Sequence, residues 1–336
     1  MSTQTPRIPS WEAPRRWGVA RRPHLPPVLV AVVMLGMLVL GDQLTFGQFV
    51  SGRLVSNLFL DTGYLLALAV GMTFVVLSGG LDLSVGSVIG LGGVIGAQLL
   101  AAGVPVGVAI PLIVASGAGI GLTNGLLVAV FDVQPIVATL AGMFLARGLA
   151  YSVSLNAVPI RDSGLNALTL VTVGVGDLRF SLGVLVALAL AVVAFLMLHR
   201  TRFGRTVFAL GGNSDGARLM GLAVMRTTVL VYVVSGTCAG IGAVLFASYT
   251  SSGDPQAGTG MELAAIAAVV IGGTTLGGGN GGVVGSVVGV LVYGVIQLTI
   301  DYLGVDSWWT PIVLGMLLLV FVVAQRLAAS RAGELR

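Results

Sequence analysis

The stretch Val75–Gly96, VVLSGGLDLSVGSVIGLGGVIG, is almost all apolar or glycine, yet Asp82 stands in its middle beside Ser78, Ser84 and Ser87. Other polar residues interrupt apolar runs: Asn57, Asn124, Thr139, Arg147 and Gln297, with Glu262 at the start of its run. A charge in such surroundings is expensive and usually functional. The chemistry open to these groups is non-covalent: meeting a polar solute, or bonding across helices, which is the commoner fate of buried polar side chains. Arg147 and Glu262 stand out because a charge in an apolar medium needs a partner, and each can serve the other.

A second stretch, Ile271–Gly294, IGGTTLGGGNGGVVGSVVGVLVYG, has the same glycine-rich character. Two readings stay open for both. Ser78–Ser87 and Gly272–Gly282 are broken-helix elements lining a polar path, since non-helical backbone at membrane depth must line a wet cavity or be buried in protein. Alternatively they are short cytoplasmic turns, with Asp82 or Ser84 capping a helix from Val85. Gly277–Gly282, GGGNGG, also satisfies G-x-G-x-x-G. No strand of a soluble βαβ unit precedes it, so a dinucleotide site is dismissed.

The elements that must position these residues follow from composition. Of 336 residues, 56% are hydrophobic and 9% charged, against about 25% charged in a soluble domain. So few charges cannot cover a water-soluble surface, and the class is an all-α polytopic membrane protein. Fifty glycines suit close helix approach. All seventeen basic residues are arginine. The absence of lysine excludes a standard P-loop and Schiff-base chemistry, so no ATPase site and no cofactor site are expected in this chain. Cys238 is the one cysteine, so there is no internal disulfide. His24 and His199 are too few and too far apart for a metal site.

Residues 1–26 read as a disordered cytoplasmic tail and 327–336 as a cytoplasmic C-terminal tail, flanking a transmembrane domain over 27–326. The apolar run after residue 26 is too long for a signal peptide and lacks a small-residue cleavage site. A hydrocarbon core about 30 Å thick takes about 20 residues per helix. Ten spans fit: 27–46, 62–79, 84–102, 104–130, 135–154, 180–198, 228–249, 262–276, 282–300 and 309–326. Two are short, 62–79 and 262–276, and both run into the glycine-rich stretches. Ten crossings put thirteen arginines inside and leave Arg53, Arg161 and Arg179 outside, with Arg147 within a helix, which agrees with the positive-inside rule. A weak parallel repeat relates VGSVIG, Val85–Gly90, to VGSVVG, Val284–Gly289.

The longest polar cytoplasmic stretch is the loop 199–227. Asn213, Ser214 or Asp215 can cap a short helix within it. Ala217, Leu219, Met220 and Leu222 form its apolar side and Arg218 its polar side. Such a helix is a docking surface for a partner, or lies on the membrane with its arginines on headgroups.

Three motifs resemble the permease subunits of bacterial monosaccharide ABC importers of the ribose, xylose, arabinose and galactose type. They are SGGLDLSVGSVIGL (Ser78–Leu91), ALGGNSDGARLMGL (Ala209–Leu222) and GMELAAIAAVVIGGTTLGGGNGGVVGSVVGVLVYGVIQ (Gly260–Gln297). The similarity runs from about Asn57 to Arg326. GMELAAIAAVVIGGT and Ser307–Arg326 are most similar to a galactofuranose importer permease. Two positions depart: Gly216 and Met220 stand where the family tends to carry alanine and serine.

The resemblance implies a plasma-membrane transport subunit without chemistry of its own. ATP is bound by a separate cytoplasmic ATPase, which docks on Gly211, Gly212, Asn213, Asp215, Ala217, Arg218, Leu219 and Gly221. A second permease chain, identical or not, completes the path. A periplasmic or lipid-anchored sugar-binding protein docks on the 155–179 and 250–260 loops, joined by the LDTGY and SWWT edges, and Trp308 and Trp309 themselves read as interfacial anchors. The path candidates for a monosaccharide, a pentose or furanose-type hexose, are Ser78, Asp82, Ser84, Asn124, Arg147, Glu262 and Gln297. The alternatives are an importer permease for a branched-chain amino acid or nucleoside, an ion-gradient-driven transporter, and a passive channel.

Overall fold

The computed structural model describes residues 27–47, 51–304, 306, 308, 309, 311–313, 315, 316, 319, 320 and 323. The expected tails, 1–26 and 327–336, lie outside the described residues. Twelve helices are fully delimited among the described residues. They are α1 Pro27–Phe46, α2 Gly52–Leu77, α3 Val85–Ala101, α4 Val106–Ala129, α5 Pro135–Val153, α6 Ser163–Leu170, α7 Leu182–Arg200, α8 Arg202–Gly212, α9 Ser214–Leu219, α10 Val224–Thr250, α11 Met261–Ile271 and α12 Val283–Tyr302. Two antiparallel pairs accompany them. β1 (Val158–Pro159) joins β4 (Ser252–Gly253), and β2 (Thr172–Val175) forms a hairpin with β3 (Leu178–Ser181).

Among the described residues, seven helices are long and apolar enough to span a membrane: α1, α2, α4, α5, α7, α10 and α12. Large apolar side chains on α4, α5 and α7, such as Leu122, Phe144 and Val192, point outward, as lipid-facing residues do. The chain is a multi-pass helical membrane protein. Two of the ten expected spans differ by more than a few residues. The span expected at 62–79 is not short: it is the 26-residue α2, extended through Arg53, Asn57 and Asp61. The span expected at 262–276 is the 11-residue α11. That is roughly 16 Å long, about half of a hydrocarbon core. Of the span 309–326, residues 309, 311–313, 315, 316, 319, 320 and 323 are helical, and the rest lies outside the described residues.

The bundle has two ends. At one, the β2–β3 hairpin caps α2: the Ser56 hydroxyl accepts from the Arg179 backbone N–H at 2.8 Å. At the other, α8 and α9 follow α7 and precede α10. Arg53 and Arg179 sit at the hairpin end, while Arg200, Arg202, Arg205, Arg218 and Arg226 belong to the α7–α10 connection. These described arginines therefore lie at opposite ends of the bundle.

α4 and α10 form the tightest seam. Gly117, Gly121 and Gly125 of α4 repeat every four residues and meet Val229, Tyr232, Gly236 and Gly240 of α10. A Cβ on Gly121 would fall on the Tyr232 carbonyl, and one on Gly236 on the Gly117 carbonyl. Small residues at this spacing let two backbones touch.

Candidate functional site

The first break joins α2 to α3 and folds back into the bundle. Ser78 ends α2, its hydroxyl donating to the Val75 carbonyl at 2.7 Å. Gly79 turns the chain with φ +86°, a conformation that favours glycine. Asp82 is then fully buried. Its Oδ1 accepts from the Ser84 N–H at 3.0 Å and the Ser84 hydroxyl at 2.6 Å, and its Oδ2 accepts from the Ser235 hydroxyl at 2.7 Å. Asn124 Nδ2 donates to Ser84 Oγ at 2.9 Å. Ser235 stands 11 residues past the start of α10, roughly 16 Å along its axis. The break is thus no surface turn: it carries a carboxylate deep into the bundle and supplies it with three donors. Ser84 sits at the N-cap of α3 without a side-chain cap bond; its hydroxyl serves Asp82 instead.

Two buried oxygens beside this network, Asn124 Oδ1 and the Tyr232 hydroxyl, have no hydrogen-bond partner among the described residues. Each faces a glycine: Asn124 Oδ1 lies on Gly142 and the Tyr232 hydroxyl on Gly80. Thr139 is fully buried and donates to the Pro135 carbonyl at 2.9 Å.

Arg147 and Glu262 do not form an ion pair among the described residues. The Arg147 guanidinium donates to the Pro255 carbonyl and, at 2.8 Å, to the Ala257 carbonyl. Glu262 Oε1 instead accepts from the Gly260 N–H at 3.2 Å, holding the start of α11. The physical reason is the segment between them. After α10 the chain pairs at β4 and then descends along α3, with Gly253 against Gly93 and Gly258 against Gly86. Its carbonyls reach Arg147 first. This run of turns leads down to the short α11, and Gln256, Thr259 and Gly260 on it are exposed.

The second break, Gly272–Gly282, carries no charge. It is closed by backbone bonds, Thr275 N–H to the Asn280 carbonyl at 3.0 Å and Gly278 N–H to the Thr275 carbonyl at 3.0 Å. The Thr275 hydroxyl adds a bond to the Gly278 carbonyl at 2.9 Å. The Gly279 N–H donates to the Leu77 carbonyl at 2.9 Å, which ties the second break to the end of α2. Thr73 and Ser286 add a hydroxyl pair at 2.7 Å between α2 and α12.

The end of α8 closes this junction. Gly211 packs so closely that a Cβ there would fall on the Leu77 carbonyl and the Gly279 N–H, while Gly212 lies against Gly279. One short helix, α8, therefore touches the second break and the end of α2, where the first break begins. Asn213 caps α9, accepting from the Gly216 N–H at 2.9 Å. The expected single apolar side of this helix is divided. Ala217 turns inward with Leu210 and Val224, joined by Leu222, while Leu219 and Met220 are 90% and 70% exposed. Asp215, Arg218 and Gly221 are also exposed.

Of the seven path candidates, Asp82, Ser84 and Asn124 come together, and Ser78 lies at the same break. Arg147 and Glu262 flank the descending segment. Gln297 stands apart, in a polar pocket with Asp61, Thr62, Tyr64, Tyr249 and Asp301. The sequence reading missed Ser235 and Tyr232, because a lone serine or tyrosine in a long apolar helix carries no signal of its own.

The family described as "Branched-chain amino acid transport system / permease component" matches residues 54–322. The chain belongs to this permease family. It is 39% identical to the fructose import permease protein FruG of Bifidobacterium longum over 96% of this chain and 97% of that protein. It is 42% identical to the inner membrane ABC transporter permease protein YjfF of Escherichia coli over 89% and 91%. It is 39% identical to the ribose import permease protein RbsC of Escherichia coli over 80% and 84%. No solved structure matches the chain. The permease is a transport subunit, and both breaks and the α8–α9 segment fall inside the matched region.

Proposed function

We propose that this permease carries a monosaccharide across the plasma membrane as the membrane subunit of an ATP-driven importer, working by alternating access. The observation that carries the reading is the α8 junction: Gly211 and Gly212 touch the ends of both breaks. A push on α8 and α9 reaches α2, α3, α11 and α12 at once. A passive pore has no use for such a linkage. A second support is the segment 256–260, on which Gln256, Thr259 and Gly260 are exposed. Non-helical backbone at membrane depth is tolerated where it lines water or is covered by protein, and a path shared with a second permease chain provides both.

In this reading the α8–α9 end is cytoplasmic, with both termini on that side. Exposed Leu219 and Met220 meet an ATPase subunit, which binds the ATP. The hairpin end faces outward and receives the sugar-binding protein on β2–β3, α6 and the β1–β4 pair. The monosaccharide assignment rests on the relatives' names, fructose and ribose import. The family description favours a second reading, an amino-acid solute.

The test is a mild-detergent pull-down of the tagged permease, followed by reconstitution with its ATPase and binding protein. ATP-dependent uptake of a sugar from a panel of fructose, ribose and galactose is the expected result. Uptake of leucine but no sugar would replace the substrate class. Uptake that survives ATP depletion but not an uncoupler would replace the mechanism.

A further inference from the structure

The pocket that holds Gln297 has no part in the breaks or the α8 junction. Asp61 projects from α2, Tyr249 from α10, and Gln297 and Asp301 from α12, with Tyr64 beside them. Its volume is about 100 Å³, room for several waters. The Tyr249 hydroxyl donates to Asp61 Oδ1 at 3.0 Å. Tyr64 packs edge-on to Phe246, centroids 4.9 Å apart, and tilts against Tyr249 at 5.9 Å. No described basic residue forms an ion pair with Asp61 or Asp301.

Three observations give this pocket a role. First, Asp61 lies nine residues inside α2, roughly 14 Å from its hairpin end. A carboxylate inside a membrane helix and without a cation is a functional-site candidate by default. Second, the pocket lies toward the hairpin-side ends of α2, α10 and α12, on the α12 face that meets α2, where Gly294 lies against Leu58 and Thr62. Third, the donor set is mixed. Carboxylates and an amide accept and donate to hydroxyls, and a tyrosine ring 40% exposed offers a flat apolar face. That combination suits a neutral polyol, whose ring has a polar edge and an apolar face. A cation would find no closed shell of oxygens here, and a phosphorylated solute would be repelled by both carboxylates.

We propose that Asp61, Tyr249, Gln297 and Asp301 form a transient station for the transported sugar on the hairpin side of the path. The station rests on the importer reading above. It borders α2 and α12, the helices that end and begin at the two breaks, so a movement at the α8 junction alters its walls.

The test uses the full importer with Gln297→Cys, in which the native Cys238 is buried. A membrane-impermeant thiol reagent is added from the hairpin side, with and without binding protein loaded with fructose, ribose or galactose. The expected result is labelling, slowed about threefold or more by whichever sugar the wild-type importer takes up, a modest change in occupancy. Asp61→Asn should lower uptake about tenfold and Tyr249→Phe a few-fold, the scale of lost charge-assisted and neutral hydrogen bonds, with the ATPase still co-purifying. No labelling, or labelling that sugar leaves unchanged, overturns the station. So does unaltered uptake by both variants beside an active wild type. If the wild type imports no sugar with ATP, the importer reading fails and the station falls with it.

Discussion

The two breaks end and open helices with the same pattern, VGSVIG in one and VGSVVG in the other, yet they are built differently. The first carries Asp82 and is fastened to α10 through Ser235 and to α4 through Asn124. The second has no charge and is closed by its own backbone and by a bond to the Leu77 carbonyl. The first break is anchored to the body of the protein, and the second is anchored to the first. A repeated hexapeptide specifies how the following helix starts, and the residues before it decide what holds the break in place.

The largest effect should come from the point where both breaks meet. Gly211→Val pushes a side chain into the Leu77 carbonyl and the Gly279 N–H, so backbone must move. ATP-driven uptake should fall by at least about tenfold, the equivalent of one strong contact, while ATP hydrolysis by the bound ATPase persists. Vesicle uptake and phosphate release measured together check this, and coupled losses of both would place the fault in assembly.

Asp82→Leu should come next. It strips Ser84 and Ser235 of a buried acceptor and should destabilise the permease by roughly 3 kcal/mol, read as a lowered melting temperature in detergent. Ser235→Ala should cost less, about 1–2 kcal/mol, since the carboxylate keeps two donors. Equal losses in the two variants would mean that the α10 bond is the whole anchor.

The second break should respond more weakly. Thr73→Val removes one hydroxyl of the pair with Ser286 and should cost about 1 kcal/mol. A double variant with Ser286→Ala should cost little more than either alone. Full additivity would show that the two hydroxyls do not act together. Smallest of all, Asn213→Ala removes the α9 cap, about 1 kcal/mol of local helix stability, and should weaken ATPase binding several-fold in a titration without touching the melting temperature.

Much of this was legible in the sequence. Long apolar runs and glycine-rich interruptions located most helices within a few residues, because a bilayer imposes both length and hydropathy. The error at α2 has a clear cause. Arg53, Asn57 and Asp61 kept the expected span from starting before residue 62, but they sit toward the hairpin end of the helix, where a turn-capped strand pair and a polar pocket accept them. The error at α11 is the converse: Gly272–Leu276 continues the apolar run while the backbone has already left the helix. At the site, Asp82, Ser84 and Asn124 were visible because polar residues in a greasy segment are conspicuous. Their partner Ser235 was not, since helix α10 contains several small hydroxyl residues and only the fold distinguishes the one facing Asp82. The Arg147–Glu262 pairing failed because backbone carbonyls, which have no sequence signature, are the nearer partners.

The α4–α10 seam bears on how such a molecule can move. With glycine meeting backbone along its length, two helices share one surface and have no side-chain ridges to re-interdigitate. They translate and tilt as a single rigid strut. α11, with a non-helical joint at each end, at 251–260 and 272–282, is held to α12 in the same way: Gly272 lies against Gly285 and the Ala268 carbonyl against Gly289. Two such seams tie α4 to α10 and α11 to α12, so the permease has fewer separable parts than helices.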